Sequence, residues 1–187
     1  AYTLFGVNEF AARFFQSLLG AASCALTVLF GTALFRPRVG ILAGLILATS
    51  AQMVVVSKAA TADAPFVFFI LLALYGFLRM YMSPRRLEWF LLLYGGLGLA
   101  TLTKGPAGAI LIASTILVFL ALSREVKVLR NLRIGWGLAL FVLIVGPWFL
   151  AANLETEWGF FTKGILYHTV ERAVRPFEGH TGSFLYY

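Results

Sequence analysis

Apolar residues in this chain run in long blocks, broken by short clusters of charge, proline and glycine. The blocks fall at residues 14–35, 39–56, 64–81, 89–103, 107–122 and 134–154. None alternates apolar and polar positions, as the strands of a membrane barrel would, and most approach the roughly 20 residues a helix needs to cross a bilayer. The pattern predicts an all-α fold, a polytopic transmembrane helical bundle of about six spans, because only helices and closed barrels satisfy their backbone groups in lipid.

Two blocks are short. At 1.5 Å per residue, 89–103 and 107–122 reach only about 24 Å of a hydrocarbon core of about 30 Å. Thr103-Lys104-Gly105-Pro106 stands between them, which puts Lys104 in a recess below the surface. An ammonium there either meets an anion or snorkels to the interface. Gly40 and Gly44, with Ala48 one turn on, and Gly95, Gly96, Gly98 and Ala100 predict faces where helices approach closely.

The sharpest polar interruption is Ser57-Lys58-Ala59-Ala60-Thr61-Ala62-Asp63-Ala64-Pro65, between the second and third blocks. An ionisable residue at the end of a span commonly faces water, a partner or a substrate cavity. Asp63 two residues before Pro65 is equally a sound helix start, with the carboxylate accepting backbone N–H bonds. At the entrance of the first block, Glu9 and Arg13 are spaced for an i,i+4 ion pair or for a ligand role.

Composition agrees with the pattern. Hydrophobic residues make up 60% of the chain and charged ones 12%, about half the usual share in a soluble domain. Mean hydropathy is +0.88. The net charge of +7 sits entirely at one set of span ends: nine Arg and Lys face two Glu there, against six and six at the other. The positive-inside rule makes the first set cytoplasmic and excludes nucleic acid as the reason for the charge. Glu9, Lys58, Asp63 and Lys104 all fall on the opposite, external side. The lone Cys24 lies in an apolar block and is read as a packing residue.

Residues 155–187 are expected to be an external juxtamembrane segment. Trp158, Phe161, Ile165, Thr169 and Arg172 follow helical spacing, as in a helix lying at the interface, and the last residues lead towards a further span. His168 and His180 are both in this tail. With no initiator methionine and no cleavage signal, the chain is expected to be an internal piece of a longer protein.

Several of these landmarks recur together in one family. The entrance Phe5-Gly6-Val7-Asn8-Glu9-Phe10-Ala11-Ala12-Arg13, the turn Thr61-Ala62-Asp63-Ala64-Pro65, Leu102-Thr103-Lys104-Gly105-Pro106, Pro147-Trp148, Glu171-Arg172, His180 and Phe184-Leu185-Tyr186-Tyr187 form an ordered series. It resembles the polytopic glycosyltransferases of the protein O-mannosyltransferase and lipid A aminoarabinose transferase type, which have the GT-C fold. The resemblance implies transfer of a sugar from a polyprenyl-phosphate donor to an acceptor on the external face of the plasma (inner) membrane. The partners it implies are that donor and membrane lipids, with the acceptor undefined.

It also implies roles. Lys104 and Arg172 match basic positions that would serve the phosphate, and Arg13 and Lys58 are further cations on the same face. Asp63 matches the acidic position at a helix start, a catalytic candidate that would hold the sugar or its loop. Glu9 and His180 lie near positions associated with a divalent metal ion in the aminoarabinose branch, although the acidic residue of that branch falls nearer Val7. The main catalytic acid of the family would lie before Ala1, so this piece alone is expected to be inactive. Two other readings of the same residues are a transporter or lipid flippase, with Asp63 and Lys104 as ligands, and a non-catalytic membrane subunit built on the glycine faces.

Overall fold

The computed structural model describes residues 6–83, 86–125, 128, 129 and 131–156. Among these the chain is helical without strands: α1 (Glu9–Leu34), α2 (Pro37–Thr49), α3 (Ala51–Lys58), α4 (Asp63–Met82), α5 (Leu87–Lys104), α6 (Pro106–Ser123) and α7 (Ile134–Glu155). The all-α expectation holds. Four helices, α1, α4, α6 and α7, are long and apolar enough to cross a membrane, and α2 with α3 makes a fifth if that bent pair is one span. The remaining expected span is α5, whose Glu88, Trp89, Tyr94, three glycines and Lys104 dilute its leucines. The chain divides into two compact units, residues 1–144 and 145–187.

Two departures from the apolar blocks have local causes. Helix α1 starts at Glu9, ahead of the apolar block, because the Asn8 Oδ1 accepts the Ala11 N–H at 2.8 Å and caps the first turn. The block 39–56 is not one straight helix: α2 and α3 meet at Ser50 with a bend of 62°. Ser50 has an extended backbone (φ −64°, ψ 123°), and the preceding Thr49 hydroxyl donates to the Leu45 and Ile46 carbonyls at 2.9 and 3.3 Å. Such back-bonding competes with the regular ladder and bends helices.

Backbone-to-backbone approach sets the packing of residues 6–144. A Cβ placed on Gly40 would lie 2.4 Å from the Val28 carbonyl oxygen, and one on Gly44 would lie 2.3 Å from Val28 Cγ2, so α1 and α2 lie in near contact as the glycine spacing predicts. Likewise a Cβ on Gly76 would lie 2.5 Å from Leu93 N, and one on Gly96 would lie 2.8 Å from Ala73 N, which joins α4 to α5. Gly95, from the same predicted face, meets nothing within 4 Å. In lipid no hydrophobic gain separates helix–helix from helix–lipid contact, so this close fit is what holds the helices together.

The α4–α5–α6 cluster centres on Ala73, Phe77, Met80, Leu93, Ile112 and Leu120. Ile46, Trp136 and Leu122 are among the large apolar side chains left more than two-thirds exposed, a surface that lipid accepts and water does not.

Gly40 meets Val28 and Gly20 meets Ser57, so α2 and α3 both run back along α1. Asp63 meets Lys104 where α4 and α5 run antiparallel, and the connections therefore collect at two ends. One end holds Arg36, Arg79, Arg86, Arg124 and Arg133. There Arg79 stacks its guanidinium 4.5 Å from the Trp89 ring, and Tyr81 donates to Glu125 at 2.5 Å. Tyr94 donates to the buried Leu132 carbonyl at 2.9 Å, tying the segment before α7 to α5. The other end holds Glu9, the α3–α4 turn and the α5–α6 turn. Within the second unit, Asn153 Nδ2 donates to Phe149 O at 2.8 Å in the final turns of α7, a helix that contains Pro147.

Candidate functional site

The less basic end carries a groove of about 490 Å³. Leu47 and Ser50 come from the end of α2 and its bend, Gln52, Met53 and Val56 from α3, and Asp63, Phe66 and Val67 from the first turns of α4. The bend at Ser50 opens it, since a straight helix would run past the start of α4 without the oblique wall that α3 supplies. Helix α3 is pinned from behind: the Ser17 hydroxyl donates to the Ser57 carbonyl at 2.9 Å, and a Cβ on Gly20 would lie only 2.1 Å from Ser57 Oγ.

At the groove's edge Lys104, the last residue of α5, donates to the carboxylate of Asp63, the first residue of α4. Both side chains are about 40% exposed, and the ammonium lies 5.3 Å from the centre of the Phe66 ring. Helix α4 has Ala62 as its N-cap and no side-chain cap bond, so the Asp63 carboxylate does not cap its helix and is turned to Lys104. Of the two fates expected for Lys104, it meets an anion, and that anion is the protein's own Asp63. The turn that follows depends on Gly105, whose φ of 66° and ψ of −150° suit glycine alone, and on Pro106 at the start of α6.

The other predicted residues divide. Lys58, in the last turn of α3, lines a neighbouring hollow of about 380 Å³ with Ser17, Met53 and Ser57. Met53 is shared with the main groove, and Ser17 with a third hollow of about 280 Å³ bordered by Glu9 and Arg13. Lys58 thus borders a hollow that adjoins the Asp63–Lys104 groove, and Arg13 borders the next hollow beyond it. Arg13 lies 3.6 Å from Glu9 in an exposed i,i+4 pair. Arg172 and His180 lie outside the described residues, as does His168.

For a metal ion the described residues offer little: no three His, Cys, Asp or Glu come together among them, and the Glu9 carboxylate is engaged by Arg13. These residues do not by themselves fit a divalent ion, and no step below is routed through one.

Sequence reasoning missed Ser50, Gln52 and Phe66 as parts of the groove. The signal was present as the polar Thr49-Ser50 and Gln52 inside an otherwise apolar block. What periodicity does not encode is a bend that turns those residues to one side.

Helices with lipid-accepting faces, close glycine crossings and an ion pair over a groove at one end define a polytopic membrane protein with a GT-C-like fold. The comparisons give the family: the model for dolichyl-phosphate-mannose-protein mannosyltransferases matches residues 1–150, and the chain belongs to that family. The crystal structure of ArnT from Cupriavidus metallidurans in the apo state superposes with a TM-score of 0.78 at 25% identity, covering 86% of this chain and 31% of that one. Two uncharacterized proteins of Aquifex aeolicus (strain VF5) are also similar. One is 35% identical over 150 residues, 80% of this chain and 30% of its own length. The other is 28% identical over 188 residues, all of this chain and 41% of its own length. The chain therefore spans less than half of each of these relatives.

Proposed function

We propose that this chain forms the phosphate-binding side of a membrane glycosyltransferase that moves a sugar from a polyprenyl-phosphate donor to an acceptor on the external face of the plasma (inner) membrane. The observation that carries this reading is the Asp63–Lys104 pair at the edge of a groove whose walls are otherwise largely apolar. A lipid-linked donor has the same two halves, an isoprenoid that wants apolar walls and a phosphate that wants a cation.

In the reaction the bond between the sugar's anomeric carbon and the phosphate oxygen breaks, and the acceptor oxygen forms a new bond to that carbon. The polyprenyl phosphate leaves with an added negative charge. A cation placed in advance where that charge develops lowers the barrier, and the effect grows where water is scarce. Lys104 is the residue so placed. Asp63 holds the ammonium in position between α4 and α5, and with Lys104 on its carboxylate it acts as a positioning residue, not as a free base. Lys58 and Arg13 add positive potential along the adjoining hollows, attracting the anionic head group.

Family membership favours transfer over transport or a purely structural role. The test uses the full-length protein in membranes supplied with radiolabelled polyprenyl-phosphate sugar, comparing wild type with Asp63→Asn and Lys104→Ala at matched expression. Loss of transfer with the fold retained supports the reading, and undiminished transfer in both variants removes these residues from the site. Sugar-lipid flux across proteoliposomes without consumption of the donor would favour a transporter.

A further inference from the structure

Two polar side chains of the groove have no part in the phosphate chemistry. Ser50 stands at the bend between α2 and α3, and Gln52 lies in the first turn of α3. Other hydroxyls in these helices satisfy themselves on backbone carbonyls: Thr49 bonds Leu45 and Ile46, and Ser57 bonds Met53 at 2.7 Å. Ser50 makes no side-chain cap bond to α3, and neither it nor Gln52 has a side-chain hydrogen-bond partner among the described residues. Leu47, Met53, Val56 and Val67 make the surrounding wall apolar. Gln52 is exposed and Ser50 half-buried, so both polar groups are open to a ligand that enters the groove.

Their chemistry narrows what that is. The amide of Gln52 offers two donors and an acceptor, and the Ser50 hydroxyl donates and accepts. Both are neutral, so they bring no charge to meet a phosphate, and an isoprenoid offers them no partner. A sugar hydroxyl, which donates and accepts at once, matches both. A few placed polar groups in a mostly apolar cavity are also how ligand sites fix orientation.

We infer that Gln52, together with Ser50, reads the hydroxyl groups of the transferred sugar and so helps to set which sugar the protein accepts. This rests on the transfer reading above. The two residues are held firmly enough for the task, because α3 is clamped to α1 by Gly20 against Ser57 and by the Ser17–Ser57 bond.

The experiment measures kcat/KM for the full-length protein in membranes with undecaprenyl-phosphate-linked mannose, glucose, galactose and 4-amino-4-deoxyarabinose. Wild type is compared with Gln52→Leu and Ser50→Ala, and inhibition by sugar-free undecaprenyl phosphate is measured beside it. Gln52→Leu is expected to change the ratio between the best and second-best sugars by about tenfold or more, since a site that hydrogen-bonds a hydroxyl discriminates far better than an apolar one. Ser50→Ala is expected to change it less, and inhibition by undecaprenyl phosphate is expected to stay as in wild type. Unchanged ratios in both variants would overturn the inference and leave the transfer reading standing. An equal loss for all sugars with weakened phosphate inhibition would also overturn it, by showing a general distortion of the groove. Wild type transferring none of the four sugars would overturn the transfer reading and this inference with it.

Discussion

Lys104 and Asp63 lie 41 residues apart in sequence and meet as an ion pair that joins the last residue of α5 to the first of α4. Each is about 40% exposed, so the bond adds little to stability: exposed ion pairs contribute about 0–1 kcal/mol. Its effect on transfer should be far larger, because an oriented charge acts on the transition state and not on the folded state. Lys104→Ala is expected to lower the rate of sugar transfer by about 10²–10³-fold, the usual cost of one preorganised electrostatic group, while moving the detergent-solubilised thermal midpoint by only a degree or two. Lys104→Arg, which keeps the charge but changes its geometry, should recover only part of the rate. A large drop in midpoint with little change in rate would make the pair a structural tie.

Asp63→Asn should behave differently from Lys104→Ala. It frees the ammonium from its carboxylate without removing the cation, so donor binding survives while the position of the charge is lost. The expectation is a kcat reduced by about tenfold or more with KM for the donor changed much less, since the missing interaction is one that matters in the transition state. The double variant should be no worse than Lys104→Ala alone, as neighbours acting through one contact are not additive. Additive losses would mean that Asp63 acts independently of Lys104.

The all-helical, membrane-spanning character of the chain was legible because lipid imposes one rule on every segment: satisfy the backbone internally and keep the surface apolar. Gly40 and Gly44 were legible as a contact face for the same reason, as only small residues allow such approach. Gly95 shows the limit, since its spacing matches the contact face yet it meets nothing within 4 Å. The groove was legible only in part. Asp63 and Lys104 each stood out as charges at the ends of apolar blocks, but their pairing depends on how α4 and α5 cross, which no local pattern encodes. The bend at Ser50 was hidden because Thr49, Ser50 and Gln52 are too few to break the apolarity of residues 39–56. Without the bend, Gln52 is one more residue on a span.

The clamp behind the groove can be tested by substitution and relief. Gly20→Ala puts a Cβ 2.1 Å from Ser57 Oγ and 2.6 Å from Ser57 Cβ, so α3 must shift or Ser57 must yield. Overpacking of this kind costs about 1–3 kcal/mol. The displacement also moves Gln52 and Met53 in the groove wall, so transfer should fall even in protein that remains folded. Ser57→Gly in the same chain removes both clashing atoms and should restore part of the lost thermal stability, whereas Ser57→Ala keeps the Cβ and should not. Equal rescue by the two would show that the Oγ alone sets the contact.

The α4–α5 crossing gives the strongest contrast between two glycines in these helices. A Cβ on Gly76 would stand 2.5 Å from Leu93 N and 2.9 Å from both Leu92 C and Trp89 O. These are backbone atoms of the neighbouring helix, so no side-chain rotation relieves the overlap and the helices must separate. Gly95, inside α5, meets nothing within 4 Å and has helical neighbours on both sides. Gly76→Ala is therefore expected to destabilise the protein by about 2 kcal/mol or more and to reduce the folded yield from membranes, following the cost of forced overpacking. Gly95→Ala should be neutral or stabilising by up to about 1 kcal/mol, because alanine is the better helix former and no neighbour opposes it. Thermal unfolding of the two variants in one detergent measures the difference directly. Since Asp63 and Lys104 lie on the two helices that Gly76 brings together, Gly76→Ala should also lose transfer activity in the fraction that folds, and Gly95→Ala should keep it. Equal midpoints for the two variants would show that α4 and α5 are not held by this backbone approach.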